Sequence, residues 1–510
     1  MTNVLIILID DVGREVLHVG ADQNLGGAGT YGYPATPNIT AMGVGGTVSG
    51  FTYPGGVMCS RAYAEQLCSP TRATLLTGRH PYKHGVGDII RESAQATQQP
   101  LPEAELTLAK VLKQNGYVTA AFGKWHLGNL LDGGNDHTRR AGFDVYAGNY
   151  FNLDQTDTLN VNGTDYAQGM YTYEYVENGV SKVTRGYHAT HHTNLAIQWI
   201  NEQTKNGRDW FCYVPLYSVH FPFDNNATTN PVRFNVPPTN LYDSTTWNQA
   251  SAATTTTTAQ YMHAWRAGLE AMDAEIGRLI RSIDLTDTLV IFMSDNGSDA
   301  GSLQNEVHPT LGSYSSTHEK NTPYEPGMWT TLILWGDVVT SSARTYAKLV
   351  SAVDIFPTVL DACGIDIPAN IDGYSLWTFR TVNADGTITE STGVLRSSSN
   401  AAIRDYAYAE WFQPNGPNTS DDSRTATQWS IIGGDVEAGT GAAGTGRYKL
   451  IRTSKTGKFE FYDLIPSGTY NPMEATNLTP LGVTSGLTAA QLAAFNRLKA
   501  IRNGFVRTAA

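Results

Sequence analysis

Cysteine is scarce in this chain of 510 residues, which has four of them: Cys59, Cys68, Cys212 and Cys363. No two form a CxxC pair, and their wide spacing does not match the closely set cysteines of a small secreted disulfide scaffold. The sequence therefore excludes a zinc site built on paired thiolates and a fold that depends on a disulfide framework.

Long apolar runs and an excess of positive charge are missing as well. The longest apolar run, VLIILI, has the length of a β-strand and is too short to cross a membrane. The 47 acidic residues outnumber the 35 basic residues and give a net charge of −12, which disfavours nucleic acid and anionic membranes as partners. An anionic substrate would need a local cluster of cations to bind it against that background.

The amino terminus lacks the basic region and the cleavage site of a signal peptide, because MTNVLIILIDD leads directly into a strand. This predicts a cytoplasmic protein, or a periplasmic or secreted one from which a leader peptide has been removed. The composition, 41% hydrophobic and 16% charged, is typical of a soluble globular protein. A chain of this length is expected to form one large domain and a smaller one.

Strand and helix patterns alternate up to about residue 380. The predicted strands are NVLIILIDD, YVTAAFGKWHLG, WFCYVPLYSVHFPF and TLVIFMSDNG. The predicted helices are TRATLLTG, ELTLAKVLKQNG, ATHHTNLAIQWINEQ, YMHAWRAGLEAMDAEIGRLIRSID and, as a helix pair or a bent helix, KLVSAVDIFPTVLDACG. This alternation predicts an α/β catalytic domain over residues 1–380, with a large, mainly parallel sheet flanked by helices. Four short aromatic runs and a last amphipathic helix predict a smaller antiparallel sheet plus helix over residues 381–510.

Polar residues follow several predicted strands at their carboxyl ends. They are Asp10, Asp11, Lys124, His126, His220, Asp295 and Asn296. In open α/β sheets ligands bind at this end of the strands, so these side chains are expected to converge on one crevice. Three carboxylates and one amide suit a hard cation such as Ca²⁺ or Mg²⁺. Each motif also has a purely structural interpretation, since DD suits a strand-to-loop turn and DNG a type I′ turn.

Cys68 lies at the predicted start of the helix TRATLLTG. Ser69 is expected to be the N-cap residue and Pro70 to follow it, so that Cys68 lies where the helix favours an anion. Arg72, one turn further on, could bind an oxyanion at the same place. The cysteine could be an acidified thiolate, or a small buried apolar residue. A soft thiolate beside a hard cation is a poor chemical match, which favours an oxygen nucleophile made from this side chain.

At this point the motifs resemble a known family. CSPTRATLLTGR matches the C-x-P-x-R signature of the type I sulfatases, in which the cysteine is oxidised to formylglycine. IILIDDVG precedes it, and GKWHLG, YSVHFPF, SDNG and EKNTPYEPG follow in family order, so that the motifs span residues 4 to about 335. The run RYKLIR…FEFYDL resembles the C-terminal subdomain of the family. The resemblance implies the fold of the alkaline phosphatase superfamily, in agreement with the strand and helix pattern.

The resemblance also implies an activity and roles for single residues. It implies an arylsulfatase-like sulfuric ester hydrolase that acts on a small-molecule sulfate ester through a formylglycine–sulfate intermediate, after a maturation enzyme has converted Cys68. Arg72 and Lys124 would stabilise the formylglycine, and His126 would take a proton from its second hydroxyl. His220 and Lys320 would contact the sulfate, and one of them would protonate the departing alcohol oxygen. The expected ligands of Ca²⁺, or of Mg²⁺, are Asp10, Asp11, residue 68, Asp295 and Asn296.

Two other functions remain open. One is a phosphonate monoester or phosphate diester hydrolase of the same superfamily, which can use the same C-x-P-x-R nucleophile. The other is a non-catalytic sulfate-binding relative, although every expected polar position is filled here. The motifs specify the sulfate half of a substrate, and aryl, carbohydrate and alkyl alcohols all remain candidates for the other half.

Overall fold

The structure is a computed structural model, and it describes most of the chain. The described residues are 1–17, 19, 34–91, 99–129, 134–153, 158–161, 164–220, 237–246, 258–299, 307–308, 312–315, 317–339, 343–382, 388–396, 401–416, 424–433, 446–466, 470–474 and 476–507.

These residues form α-helices and β-strands that we number in chain order. The helices are α1 (Pro37–Val44), α2 (Cys68–Thr77), α3 (Pro81–His84), α4 (Leu108–Gln114), α5 (His137–Arg140), α6 (His188–Lys205), α7 (Thr258–Arg281), α8 (Glu325–Met328), α9 (Ile355–Ala362) and α10 (Ala489–Arg507). The strands are β1 (Asn3–Ile9), β2 (Gly46–Val48), β3 (Phe51–Tyr53), β4 (Val57–Tyr63), β5 (Val118–Phe122), β6 (Val145–Gly148), β7 (Thr158–Val161), β8 (Thr164–Ala167), β9 (Thr172–Glu177), β10 (Val180–Arg185), β11 (Trp210–Pro215), β12 (Thr288–Ser294), β13 (Val307–His308), β14 (Gly312–Ser313), β15 (Trp329–Trp335), β16 (Arg344–Ser351), β17 (Thr378–Val382), β18 (Ile388–Thr392), β19 (Tyr406–Gln413), β20 (Ala426–Gly433), β21 (Tyr448–Arg452) and β22 (Phe459–Asp463).

A ten-stranded mixed sheet forms the centre of the fold, with the strand order β10-β9-β6-β5-β11-β1-β12-β15-β4-β16. The middle of the sheet, from β6 to β12, is parallel throughout. The pair β4–β16 at one edge is also parallel, whereas the remaining neighbours are antiparallel. The predicted parallel strands therefore lie side by side in the centre of the sheet, and the large sheet that the sequence predicts is confirmed.

The apolar run of β1 is explained by burial on both faces of the sheet. Successive side chains of a strand point to opposite faces. Ile6 and Leu8 lie in a core on one face, and Leu5 and Ile7 lie in a second core on the other. A strand buried on both sides gains from apolar residues at every position, so its sequence shows no alternation.

Helices cover both faces of the sheet. Helices α2, α4 and α9 pack on the face of Ile6, through residues such as Leu75, Leu112 and Phe356. Helices α1, α6 and α7 pack on the opposite face, where Trp265 is fully buried. None of the helices in the described part of the chain combines the length and the apolar composition needed to cross a lipid bilayer.

The C-terminal part forms the separate antiparallel sheet that the sequence predicts. Strands β19 to β22 pair in chain order, and helix α10 packs on them through Phe495 and Leu498. The division of the chain into domains of residues 1–380 and 381–510 stays a prediction.

The prediction of helix over KLVSAVDIFPTVLDACG is wrong in its first part. Residues 348–351 belong to β16, which pairs with β4 at the edge of the large sheet, and helix α9 begins only at Ile355. Ser351 and Asp354 form a capping box between strand and helix, because the Ser351 backbone N–H donates to Asp354 Oδ2 (2.8 Å). Leu349 and Val350 are buried where β16 pairs with β4, and this burial favours a strand here although the local sequence pattern predicts a helix.

The N-terminus of α1 is held by a carboxylate from another helix. Thr36, its N-cap residue, makes no side-chain cap hydrogen bond. Instead, Asp273 of α7 accepts from the backbone N–H groups of Asn38 (3.2 Å) and Ile39 (2.8 Å). Burial raises the pKa of Asp273 to about 6, so burial disfavours its charge while its hydrogen bonds favour it.

We expect Asp273→Ala to lower the free energy of unfolding by about 2–3 kcal/mol, because two buried N–H groups lose their acceptor. Asp273→Asn keeps one acceptor oxygen and removes the charge, so a smaller loss is expected. Urea unfolding of the two variants beside the wild type measures both values. Equal losses in the two variants would contradict a role for Asp273 as a cap of α1.

Candidate functional site

The two central strands β1 and β12 bring four oxygen donors together. They are parallel and in register, with Ile9 opposite Ser294. The residues that follow, Asp10 and Asp11 on one strand and Asp295 and Asn296 on the other, therefore leave the sheet at the same point. A ligand oxygen from each of Asp10, Asp11 and Asp295 lies within 4.8 Å of the others and of the Cys68 sulfur. The predicted convergence at this edge is observed.

Cys68 is the first residue of α2 and is fully buried. Its Sγ lies 3.5 Å from Asp10 Oδ1 and 3.3 Å from the Nζ of Lys320. The predicted cap is wrong: Leu67 occupies the N-cap position in an extended conformation, without a side-chain cap. The Ser69 hydroxyl instead accepts from the backbone N–H of Ile90 (3.1 Å). Cys68 nevertheless lies at the positive end of the helix, as predicted.

The Arg72 side chain binds the carboxylates directly. Its Nη2 lies 2.7 Å from Asp295 Oδ2 and 3.3 Å from Asp10 Oδ2, and its Nε also donates to Asp295 (3.1 Å). Nη1 donates to the backbone carbonyl of Lys124 (2.7 Å). The guanidinium is fully buried, so it holds the two strand ends and the Lys124 segment in one arrangement.

Two lysines complete the charge balance. Lys124 is fully buried and its Nζ lies 2.5 Å from Asp10 Oδ2. Lys320 has 13% of its side chain exposed and donates to Asp11 Oδ1. Neither side chain is a solvated surface charge. Gly123 permits the close approach of the Lys124 segment to β11, because a Cβ there would lie 2.1 Å from the Pro215 carbonyl oxygen.

The two predicted histidines, His126 and His220, lie near this cluster. His126 is buried, and its Nδ1 has no hydrogen-bond partner among the described residues. His220 Nε2 lies 3.8 Å from Asp11 Oδ2, and its Nδ1 lies 3.0 Å from the hydroxyl of Tyr217. Asp11 (φ 60°) and His126 (φ 58°) both adopt the left-handed conformation that non-glycine residues seldom adopt, as residues at functional sites often do.

The carboxyl groups differ in their pKa because their surroundings differ. Burial opposes ionisation of Asp10, but the charges of Lys124 and Arg72 outweigh it and hold the pKa of Asp10 well below its usual range. Burial raises the pKa of Asp11 despite the neighbouring Lys320. Burial and the negative charge of Asp10 raise the pKa of Asp295 to about 6. Burial is the largest cause of the raised pKa of Asp11 and of Asp295, so the three neighbouring cations do not fully offset the cost of burying these two charges.

The same surroundings act against a thiolate. Burial, and then the charge of Asp10, raise the pKa of the Cys68 thiol to about 12, despite the helix terminus and the nearby lysines. An acidified thiolate nucleophile is therefore not supported here. Burial and the nearby Lys124 lower the pKa of both His126 and His220, so both rings are neutral at pH 7.

The donor set fits a hard divalent cation. Asn296 donates through Nδ2 to Asp11 Oδ1 and to the Gly297 carbonyl (2.8 Å each), which leaves its buried Oδ1 without a partner among the described residues. A buried amide oxygen without a donor is costly unless a cation or water binds it. Together with three carboxylates, this oxygen provides the ligand chemistry that Ca²⁺ and Mg²⁺ prefer.

The Lys320 segment is anchored by charged residues that the sequence did not point to. The Glu325 carboxylate accepts from Lys449 Nζ of β21 (2.9 Å), and its backbone N–H donates to Glu474 (2.8 Å). Lys449 also pairs with Glu474 (2.7 Å), and all three side chains are buried. The sequence signal was weak: Glu325 stands in the EKNTPYEPG motif and Lys449 in the run RYKLIR, but the sequence indicated no role for either residue.

Fold and site together define a class of protein: an α/β protein with a large mixed sheet, in which a buried carboxylate cluster that suits a hard cation lies next to a cysteine at a helix start. The pattern of the family described as Sulfatase matches residues 2–365, and the chain belongs to this family.

Two curated relatives illustrate the similarity in sequence. The chain is 29% identical to mouse (Mus musculus) arylsulfatase G over 340 residues, which cover 60% of this chain and 58% of that protein. It is 28% identical to dog (Canis lupus familiaris) N-acetylgalactosamine-6-sulfatase over 397 residues, which cover 73% of this chain and 65% of that protein. The chain thus matches less than two thirds of the length of these relatives.

Solved structures support the fold. A putative sulfatase of Bacteroides fragilis, yidJ, has a TM-score of 0.66 at 16% identity, over 100% of this chain and 98% of that chain. The structure of BT4656, solved with its substrate D-glucosamine-2-N,6-O-disulfate, has a TM-score of 0.64 at 17% identity, over 99% and 98% of the two chains. The fold class that the resemblance implied is therefore confirmed.

Proposed function

We propose that this protein hydrolyses a sulfate monoester to an alcohol or phenol and inorganic sulfate, with an oxygen nucleophile made from Cys68. One observation carries the proposal. The Cys68 side chain lies inside a buried cluster of carboxylates and cations, with its Sγ 3.5 Å from Asp10 Oδ1 and 3.3 Å from Lys320 Nζ. Membership of the Sulfatase family and the sulfated sugar bound by BT4656 support sulfate as the group that is transferred.

In this proposal a maturation enzyme has oxidised Cys68 to formylglycine, which is present as its hydrate. One hydroxyl oxygen bonds to the sulfur atom while the bridging S–O bond breaks, and the alcohol leaves with a proton. Loss of the proton from the second hydroxyl then breaks the C–O bond to sulfate, which restores the aldehyde, and water hydrates it again. The raised pKa of the Cys68 thiol supports this oxygen chemistry over direct attack by sulfur.

The neighbouring residues take complementary roles. Arg72 and Lys124 hold Asp10 and Asp295 in place and balance their charge. His126, a neutral buried base, would accept the proton from the second hydroxyl. His220 and Lys320 would contact the sulfate group and donate to the bridging oxygen as the alcohol leaves.

A divalent cation fits the oxygen donors of the site. Asp10, Asp11, Asp295, Asn296 and residue 68 would hold it, and when bound it would lower the pKa of the nucleophilic hydroxyl and polarise the sulfate. Ca²⁺ suits the carboxylate-rich set, and Mg²⁺ is the alternative.

The modification is testable by mass. We expect the peptide that carries Cys68, isolated from the protein made in a host with a maturation enzyme, to be lighter by about 18 Da in its aldehyde form, since S and two H are lost and O is gained. Peptide mass spectrometry after thiol alkylation measures this. The peptides of Cys59, Cys212 and Cys363 are internal controls that should carry the alkyl group. A fully alkylated Cys68 in active protein would contradict the proposed nucleophile.

Cation binding is testable without turnover. After treatment with a chelator, added Ca²⁺ is expected to raise Tm, because a ligand at 100 times its Kd stabilises the folded state by about 2.7 kcal/mol. Asp295→Ala should abolish this rise, whereas Asp273→Asn, a change at a buried aspartate of α7, should keep it. Differential scanning calorimetry over a Ca²⁺ and Mg²⁺ titration gives both results. A wild-type Tm that neither ion changes would contradict the cation site.

The reaction class is tested by kinetics on paired substrates. We expect kcat/KM for p-nitrophenyl sulfate to exceed that for bis-p-nitrophenyl phosphate and phenylphosphonate monoesters. Cys68→Ala should reduce sulfate hydrolysis by roughly 10³-fold or more, as expected for loss of a covalent nucleophile, with an unchanged Tm after correction for cation binding. A larger kcat/KM for the phosphorus esters would assign the protein to the phosphonate and phosphodiester hydrolases. No turnover of either class by converted protein would favour a sulfate-binding function.

A further inference from the structure

Tyr217 lies against two of the proposed catalytic side chains and is itself fully buried. Its hydroxyl is 3.0 Å from His220 Nδ1, and the two rings have centroids 5.1 Å apart. Lys124 Nζ lies 5.2 Å from the centre of the same ring. A single phenol thus lies next to both Lys124, which pairs with Asp10, and His220, which lies near Asp11.

The hydrogen bonds of Tyr217 indicate which nitrogen of His220 carries the proton. The backbone N–H of Leu153 donates to the Tyr217 oxygen (3.0 Å), and this direction is fixed because an amide N–H can only donate. The phenol proton then needs an acceptor, and His220 Nδ1 is at the right distance. If Nδ1 carried the proton instead, the buried phenol proton would have no acceptor among the hydrogen bonds of the described residues. The neutral ring is therefore expected to carry its proton on Nε2.

The surroundings of Nε2, the other ring nitrogen of His220, are consistent with this tautomer. His220 Nε2 lies 3.8 Å from Asp11 Oδ2. An N–H directed towards a carboxylate is attracted to it, whereas a nitrogen lone pair in that position would be repelled. The hydrogen bonds of Tyr217 therefore carry the assignment, and the position of Asp11 is consistent with it.

The loop after β6 connects Tyr217 to the segment that carries Lys124 and His126. Its carbonyls at Asn149 and Tyr150 accept from the backbone N–H groups of Trp125 and His126 (2.9 Å each). Leu153 of the same loop donates to Tyr217. One loop therefore supports the segment of Lys124 and His126 and, through Tyr217, the ring of His220.

We propose that Tyr217 is a positioning residue, which holds His220 in the tautomer that presents Nε2–H to the bridging oxygen of the ester. This inference rests on the proposed sulfatase function and adds a division of labour to it: the neutral His220 ring donates a hydrogen bond from Nε2 to the leaving oxygen while its Nδ1 accepts from Tyr217, and the Lys320 ammonium supplies the proton with which the alcohol leaves. A hydrogen bond to the leaving oxygen matters most when that oxygen becomes strongly basic, as in an alkyl or sugar alcohol, and least for an acidic phenol.

Tyr217→Phe tests the proposal, because it removes the hydroxyl and keeps the ring that contacts Lys124. We expect its loss in kcat/KM to grow with the pKa of the leaving group across a series of substituted phenyl and alkyl sulfates. The loss should be slight for p-nitrophenyl sulfate and roughly 10²-fold for the most basic alcohol, the upper end of the contribution of a hydrogen bond to a charged group. Tyr117→Phe is the matched control, since Tyr117 is buried at the opposite end of β5 and donates to the Thr2 carbonyl (2.9 Å).

The dependence on the leaving group separates positioning from a general structural effect. An equal loss for all leaving groups, or no loss, would overturn the inference. In a His220→Ala background, Tyr217→Phe should add no further dependence on the leaving group, and an added dependence would also count against it.

A second measurement does not depend on turnover. In protein labelled with ¹⁵N-histidine, the His220 signal, assigned by its absence in His220→Ala, should show a protonated Nε2 and an unprotonated Nδ1, and Tyr217→Phe should shift the tautomer population. A wild-type ring protonated on Nδ1 would overturn the inference even if the protein is an active sulfatase. The expected tautomer in a protein that leaves sulfate esters intact would instead refute the proposed function and keep the tautomer assignment.

Discussion

The site depends on the burial of three carboxylates within a few ångströms of each other. Asp10, Asp11 and Asp295 would repel one another strongly in a medium of low polarity, since two unit charges 4 Å apart interact by about 4 kcal/mol at an effective dielectric constant of 20. Three cations counter this repulsion: Arg72 and Lys124 are fully buried, and Lys320 is mostly buried. Arg72 joins Asp10 to Asp295, whereas Lys124 binds Asp10 and Lys320 binds Asp11. Removal of any one would leave an uncompensated buried charge, which typically costs about 3–5 kcal/mol.

This charge balance explains why distant parts of the chain must meet at one sheet edge. The carboxylates come from two central strands, and Arg72 comes from the helix that begins with Cys68. The segment that carries Lys320 is hydrogen-bonded to the loop after β12 and to the residues before α2. The N–H of Lys320 donates to the Ser298 carbonyl (2.7 Å), and the N–H of Asn321 donates to the Gln66 carbonyl (2.9 Å). The same segment continues into Glu325, which Lys449 of the C-terminal sheet holds by a buried ion pair. The small sheet therefore contributes to the order of the site although it supplies no residue to the cluster itself.

Much of this arrangement could be predicted from the sequence, because strand ends obey simple rules. Strongly apolar runs that stop on Asp10 and Asp295 indicate buried parallel strands, and parallel strands present their ends at a common edge. Predictions from local sequence patterns were wrong where a residue distant in the sequence provides a different partner. Ser69 has the right residue type for an N-cap, yet its hydroxyl bonds to Ile90, and the run at Leu349 forms a strand because β4 lies beside it. Lys449 could not be identified at all, since its partner Glu325 is 124 residues away and no local pattern marks a buried lysine.

At Cys68, electrostatic effects that favour a negative charge are opposed by others that disfavour it. A helix N-terminus favours an anion at Cys68, and the sequence indicated this effect together with Arg72. The structure adds two nearby lysines, Lys124 and Lys320, which act in the same direction. Burial and the charge of Asp10 are stronger and keep the thiol protonated. Because burial disfavours the charged thiolate, this position is poorly suited to nucleophilic attack by sulfur. A pair of neutral hydroxyl groups would not pay this cost of burial, and a bound cation could lower the pKa of one of them. The same buried carboxylates that disfavour the thiolate are the groups that would bind that cation, so the site is consistent with a side chain that must be modified before it can act.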